Sequence, residues 1–239
     1  MPKVLKIGWC FNNNQGSAIY SEPLSMSKLI SQRNVLNSVN TCPAALDFNS
    51  RVFTILSPYS FRIRAIKNKD DNYDFFPVYP ETEIMDGLIQ KELTFQPKSL
   101  WRDEKYPILQ LALPYVFFAN ERTFINQLEP NRFTSKKNWS LIQGRFDISS
   151  WQRPINWAIE WTDLKSDLFI KKGDPLCQII FESDNPLRKV DLKYFEKDEY
   201  LDNAITRTVG VTHKLRGTRQ LMNNNELYQL NYEKLNEKN

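Results

Sequence analysis

Along most of the chain apolar and polar residues alternate with a period of two, the pattern of strands that bury one face. In RVFTILSPYSFRIRAI, residues 51–66, Val52, Thr54 and Leu56 fall on one side and Phe53 and Ile55 on the other. Beyond a break at Ser57 and Pro58, the residues Phe61, Ile63 and Ala65 oppose Arg62 and Arg64, so the segment predicts a β-hairpin. YPILQLALPYVFFA, residues 106–119, is apolar on both sides as a central strand is, and Pro114 is expected to end it or to bulge it. In residues 138–150 Ile142, Phe146 and Ile148 share a face. The cleanest alternation is PINWAIEWTD, residues 154–163, where Ile155, Trp157, Ile159 and Trp161 oppose Asn156, Ala158 and Glu160.

FIKKGDPLCQIIF, residues 169–181, predicts one more strand, turn and strand. Gly173 permits a positive φ, Asp174 suits a turn, Pro175 stiffens the exit, and Gln178 sits in an apolar strand where it can pair with backbone. These residues predict a structural hairpin. After Asp184 the period changes. Asn185 can cap a helix with Pro186 in its first turn, and Leu187, Val190, Tyr194, Leu201 and Ile205 recur near helical spacing. A second short helix is predicted within residues 224–238, with Leu227, Leu230 and Leu235 on one side. The fold class expected is mainly β, an antiparallel β-sandwich or β-clip-like barrel. Residues 1–183 form the body, and 184–239 form a helical or extended segment docked on it or on a neighbouring subunit.

A chain of 239 residues with 41% hydrophobic and 13% aromatic residues can bury a core without metal or disulfide support. The three cysteines, Cys10, Cys42 and Cys177, are odd in number and far apart, which reads as reduced, buried thiols in a reducing compartment. The N-terminus lacks a signal-peptide core and no apolar run reaches membrane-spanning length, so no membrane partner is expected. A net charge of +4 is too balanced to call for nucleic acid. One stretch departs from that balance. Between Asp202 and Glu226 lie Arg207, Lys214, Arg216 and Arg219 with no acid, among Val209, Val211, Leu215 and Leu221. Two readings stay open there, a solvated basic loop and a contact segment for an acidic neighbour.

The single histidine, His213, is too few for a His-rich zinc site, an iron facial triad or an HExxH motif, and no CxxC pair exists for a zinc ribbon. Neither a glycine-rich phosphate loop nor a GxSxG elbow is present. No metal and no cofactor are expected. Carboxylates are the one catalytic set left open, with Asp47, Asp147, Glu160 and Asp163 flanking predicted strands.

The turn IKKGDPLCQIIF resembles the strand, turn and strand near the end of the dUTPase and dCTP-deaminase superfamily, which has a β-clip fold. The chain departs from that family in lacking a Pro-Arg-Ser-Gly type phosphate segment and a Gly-x-Ile-Asp motif, which puts the family's chemistry in doubt here. A longer resemblance covers residues 41–181. Cys42 and Pro43, the strand running from Ile55 to Pro58, Pro130 and Asn131, Gly144 to Trp151, the aromatic strand from Trp157 to Trp161, and Gly173 to Phe181 follow one another in order. In this order they are similar to the motifs of an uncharacterised domain family of bacteria and tailed phages. That family carries no assigned activity. Together these features lead to the expectation of a non-enzymatic structural protein, a phage virion component such as a capsid decoration or accessory protein. It would work through contacts with other proteins, a capsid shell protein or further copies of itself, and would reside in the virion if phage-encoded and otherwise in the cytoplasm. Two alternatives stand beside it. One is a small-molecule or glycan-binding module stacking ligands on Trp151, Trp157 and Trp161; the other is a degenerate dUTPase-like enzyme.

Overall fold

The computed structural model describes residues 4–12, 19–31, 42–69, 72–83, 92–130, 137–185 and 188–212. The fold is mainly β. Its strands are β1 (Leu5–Phe11), β2 (Leu24–Ser25), β3 (Val52–Leu56), β4 (Phe61–Lys67), β5 (Tyr73–Pro77), β6 (Leu93–Phe95) and β7 (Ile108–Phe118), followed by β8 (Thr123–Leu128), β9 (Trp139–Leu141), β10 (Gly144–Asp147), β11 (Pro154–Trp161), β12 (Leu168–Ile170), β13 (Pro175–Ser183) and β14 (Val190–Tyr194). Among the described residues three α-helices accompany them: α1 (Met26–Ser31), α2 (Pro43–Arg51) and α3 (Glu199–Thr212).

Sheet A runs β14-β1-β7-β11-β9, with β6 also on β7; sheet B runs β10-β8-β13-β3-β2; sheet C runs β12-β4-β5. The expected antiparallel pairing holds throughout except between β1 and β14, which are parallel. β7 is the central strand its two apolar faces predict, and it runs on through Pro114. The register against β11 shifts between Pro154 and Asn156, opposite that proline, so Pro114 sits at a bulge.

Neither predicted hairpin forms. β3 pairs with β13 and β2, while β4 pairs with β12 and β5, so residues 57–60 carry the chain from sheet B to sheet C. Residues 171–174 make the return journey beside them, between β12 and β13. The two corners bind each other: the Ser57 amide donates to the Asp174 carbonyl (2.8 Å), and the Gly173 amide donates to the Ser57 carbonyl (2.8 Å). The Lys172 amide donates to Ser60 Oγ at 3.0 Å, and the Lys171 amide donates to Asp174 Oδ2 at 3.0 Å. Gly173 has φ +84°, the left-handed conformation anticipated for it. Alternation along each strand is obeyed, but it does not say which strand lies alongside.

The main core lies where sheet A meets the bent layer of sheets B and C. Phe117 meets Phe181 at 5.5 Å between sheets A and B, and Phe75 stacks on Phe95 at 3.9 Å between sheets C and A. Trp157 joins all three. Its ring contacts Trp139 of β9 and Phe61 of β4, and its indole N–H donates to the carbonyl of Leu176 on β13 (2.7 Å).

The helix expected from Asn185 starts later. Val190 and Leu192, two apart, pack against the core while Lys193 between Leu192 and the strand end is exposed, and the segment pairs with the edge of β1. The helix begins at Glu199, where Asp198 caps it through its side chain to the Leu201 amide (2.8 Å). Leu201 and Ile205, one helical turn apart, cover Cys10, Val116 and Phe118 in a second apolar cluster. Gly8 makes this packing possible. A Cβ there would stand 2.2 Å from the Phe118 ring. Gly8→Ala is therefore expected to destabilise the fold by about 1–3 kcal/mol, as overpacking does. Combining it with Phe118→Leu should return part of that loss, read by urea denaturation.

Candidate interaction surface

The alternation in β4 sends Phe61, Ile63 and Ala65 inward and Arg62, Arg64 and Ile66 outward. Register then decides their neighbours. Arg62 lies opposite Phe169 of β12, and Arg64 lies opposite Phe76 of β5. Asp167, just before β12, receives both arginines. Arg64 grips both carboxylate oxygens (2.9 Å each), and Arg62 Nε donates to Oδ2 at 2.7 Å while its Nη1 reaches Glu81 at 3.1 Å. Thr82 fastens the following loop, donating from its hydroxyl and accepting from the Arg62 amide at 3.0 Å.

The two guanidinium groups are thus held in place on an open sheet face. On the same face Ile66 and Phe76 are 50% and 47% exposed, large apolar side chains left in water. Lys171, whose ammonium lies 5.6 Å from the ring of Phe169 opposite Arg62, is exposed on that side. Arginine and aromatic residues together are the composition of binding hot spots. The hydrogen bonds from Arg64, and then the one from Arg62, hold the Asp167 carboxyl below its usual range against the opposing effect of its burial.

The sequence-nominated residues fall elsewhere. Trp157 and Trp161 are 0% and 1% exposed, so they belong to the core and offer no ligand a stacking face. Trp151 lies half-buried in the loop between β10 and β11, against Phe146 at 5.6 Å. Gly173, Asp174 and Pro175 build the corner between sheets, and Gln178 is buried opposite Thr54. Arg207 is exposed on α3, and Val209 and Val211 lie within the same helix rather than in a loop. Lys214, Leu215, Arg216 and Arg219 lie outside the described residues, as do His213 and the helix predicted within 224–238.

The four carboxylates left open for catalysis are each engaged locally: Asp47 with Arg51, Asp147 with Ser149, Glu160 with Arg102, and Asp163 with Ser166. Among the described residues no three side chains of the metal-ligating types gather in one place, and no helix is long and apolar enough to cross a membrane. Comparison with protein-family models gives no match, and comparison with curated proteins gives none.

The alternation in β4 made Arg62 and Arg64 legible as neighbours. Their anchor Asp167 lies more than a hundred positions away and carries no local signal. Because its folded pKa is depressed, the unfolded chain takes up this proton first as pH falls. The stabilisation it contributes is whole above the usual carboxylate pKa and is lost as pH falls through the lower folded value. Asp167→Asn should therefore flatten the acid limb of the stability profile between about pH 5 and pH 2 while lowering stability at neutral pH. Thermal unfolding of both proteins across that range checks this.

Proposed function

We propose that this protein is a non-enzymatic structural component acting through protein–protein contacts, in the form of a phage capsid decoration or accessory protein. The observation that carries the reading is the outer face of sheet C, where an Asp167-anchored pair of arginines is flanked by exposed Ile66 and Phe76. Arginines already held in a fork lose little freedom on binding, so more of each new contact appears as affinity. Lys171 adds to the positive charge that fits this face to an acidic region of a shell protein. The resemblance of residues 41–181 to a domain family of tailed phages directs the choice of partner. The stretch holding Arg207, Lys214, Arg216 and Arg219, with Val209, Val211 and Leu215, is a second contact segment of the same proposal.

Purified particles from the source organism test it, with this chain's peptides quantified by mass spectrometry against the major shell protein. Near-stoichiometric recovery is expected, and absence from particles overturns the reading. Phe76→Asp and Arg64→Glu, in protein with unchanged thermal unfolding, should each lower occupancy about tenfold, equivalent to roughly 1.4 kcal/mol. Unchanged occupancy in both would remove sheet C from the contact. Replacement of Arg207, Lys214, Arg216 and Arg219 by Ser tests the second segment in the same way.

A further inference from the structure

Arg153 differs from the other half-buried arginines. Arg51 faces Asp47, Arg62 faces Asp167 and Glu81, and Arg188 grips Glu121 through both Nη groups at 2.6 Å. Arg153 has no acid partner among the described residues. Its one hydrogen bond is a long contact from Nε to the Pro154 carbonyl, 3.4 Å, and its guanidinium lies over the Trp151 ring, 5.0 Å from the centroid. Burial pulls its pKa down, and no neighbouring charge opposes that effect. Beside it the Trp151 indole N–H is buried and has no acceptor. A guanidinium withdrawn from water without a counter-charge is costly, and so is an unmatched buried donor.

The loop that presents this pair is itself well fixed. Asp147, the acid nearest in sequence, is committed to Ser149, accepting from its amide at 2.9 Å, and its carbonyl accepts from the Trp151 amide at 3.1 Å. The Gln152 side chain, fully buried, donates to the carbonyls of Ser149 (2.9 Å) and Ile148 (3.2 Å). Phe146 closes on the edge of Trp151. The arginine is therefore seated on a supported aromatic platform rather than on a free-swinging loop.

We infer that Arg153, seated on Trp151, is a binding site for a carboxylate supplied by another molecule. One formal charge with no second cation acting on it among the described residues suits a monoanion, and the planar guanidinium fork matches the two oxygens of a carboxylate. Inorganic phosphate, largely a dianion at neutral pH, lacks the second cation it would need. The carboxylate can come from a free acid or from the end of a peptide chain, and the same chemistry receives both. This site is independent of the sheet C contact.

The full-length protein labelled with nitrogen-15 tests it, following the Trp151 indole N–H signal, assigned by its loss in Trp151→Phe. Acetate and benzoate probe a free acid, N-acetylglycine probes a chain terminus, and sodium chloride at matched ionic strength is the control. Saturable displacement of that signal by one or more of the carboxylates is expected, and the tightest of them identifies the source. Arg153→Gln should weaken the response about tenfold or more while leaving the other indole signals in place. No displacement beyond the chloride control overturns the site in the unmodified protein, whatever the variant does. Displacement that persists in Arg153→Gln overturns the role of that residue, and a stronger response to inorganic phosphate overturns the carboxylate assignment.

Discussion

The hydrogen bond from the Trp157 indole to the Leu176 carbonyl is the constraint around which the layers are arranged. It crosses from sheet A to β13 next to the place where sheet B turns into sheet C. Both groups are buried, so each would forfeit a partner's worth of free energy if the layers slid apart. The same ring packs on Phe61 in sheet C and Trp139 in sheet A, so one side chain senses all three sheets. The paired corners at residues 57–60 and 171–174 complete the joint, because their backbone groups satisfy one another rather than water.

From that joint follows the exposure of sheet C. Its inner residues Phe61, Ile63 and Phe75 are spent on the core, and its outer residues are left to face solvent. Sheet A meets a different fate on its far side, where α3 closes over Cys10, Val116 and Phe118 and Gly8 leaves room for the Phe118 ring. Desolvation pushes the Cys10 thiol up to about 12, so it is an inert packing group there rather than a nucleophile. Part of the far face of sheet A is thus covered, while the outer face of sheet C carries Arg64, Ile66 and Phe76 exposed.

Charge is distributed by the same economy. Most arginines that lose water gain a carboxylate in exchange, and the Arg62, Arg64 and Asp167 group shows the arrangement at its fullest. Arg153 breaks the pattern on a loop whose own hydrogen bonds hold it still. Departures from local consistency of this kind concentrate at sites that act on something outside the chain.

The sequence by itself determined the β class, the inward residues of β4 and β11, the two-faced apolar character of the central strand β7, the positive φ at Gly173, and the exclusion of histidine-rich metal chemistry. These depend on period, residue count or local conformation, and all three are local properties. It misjudged 51–66 and 169–181 as hairpins, because alternation fixes which way a side chain points and not which strand lies alongside. It read residues 190–194 as helix, because Leu187, Val190, Tyr194 and Leu201 fall near helical spacing, whereas the open edge of β1 was there to be paired. The burial of Trp157 and Trp161, the meeting of Arg62 and Arg64 with Asp167, and the isolation of Arg153 were decided by tertiary structure alone. Each depends on groups far apart in the chain being brought together or kept apart, and a run of neighbouring residues carries no record of that.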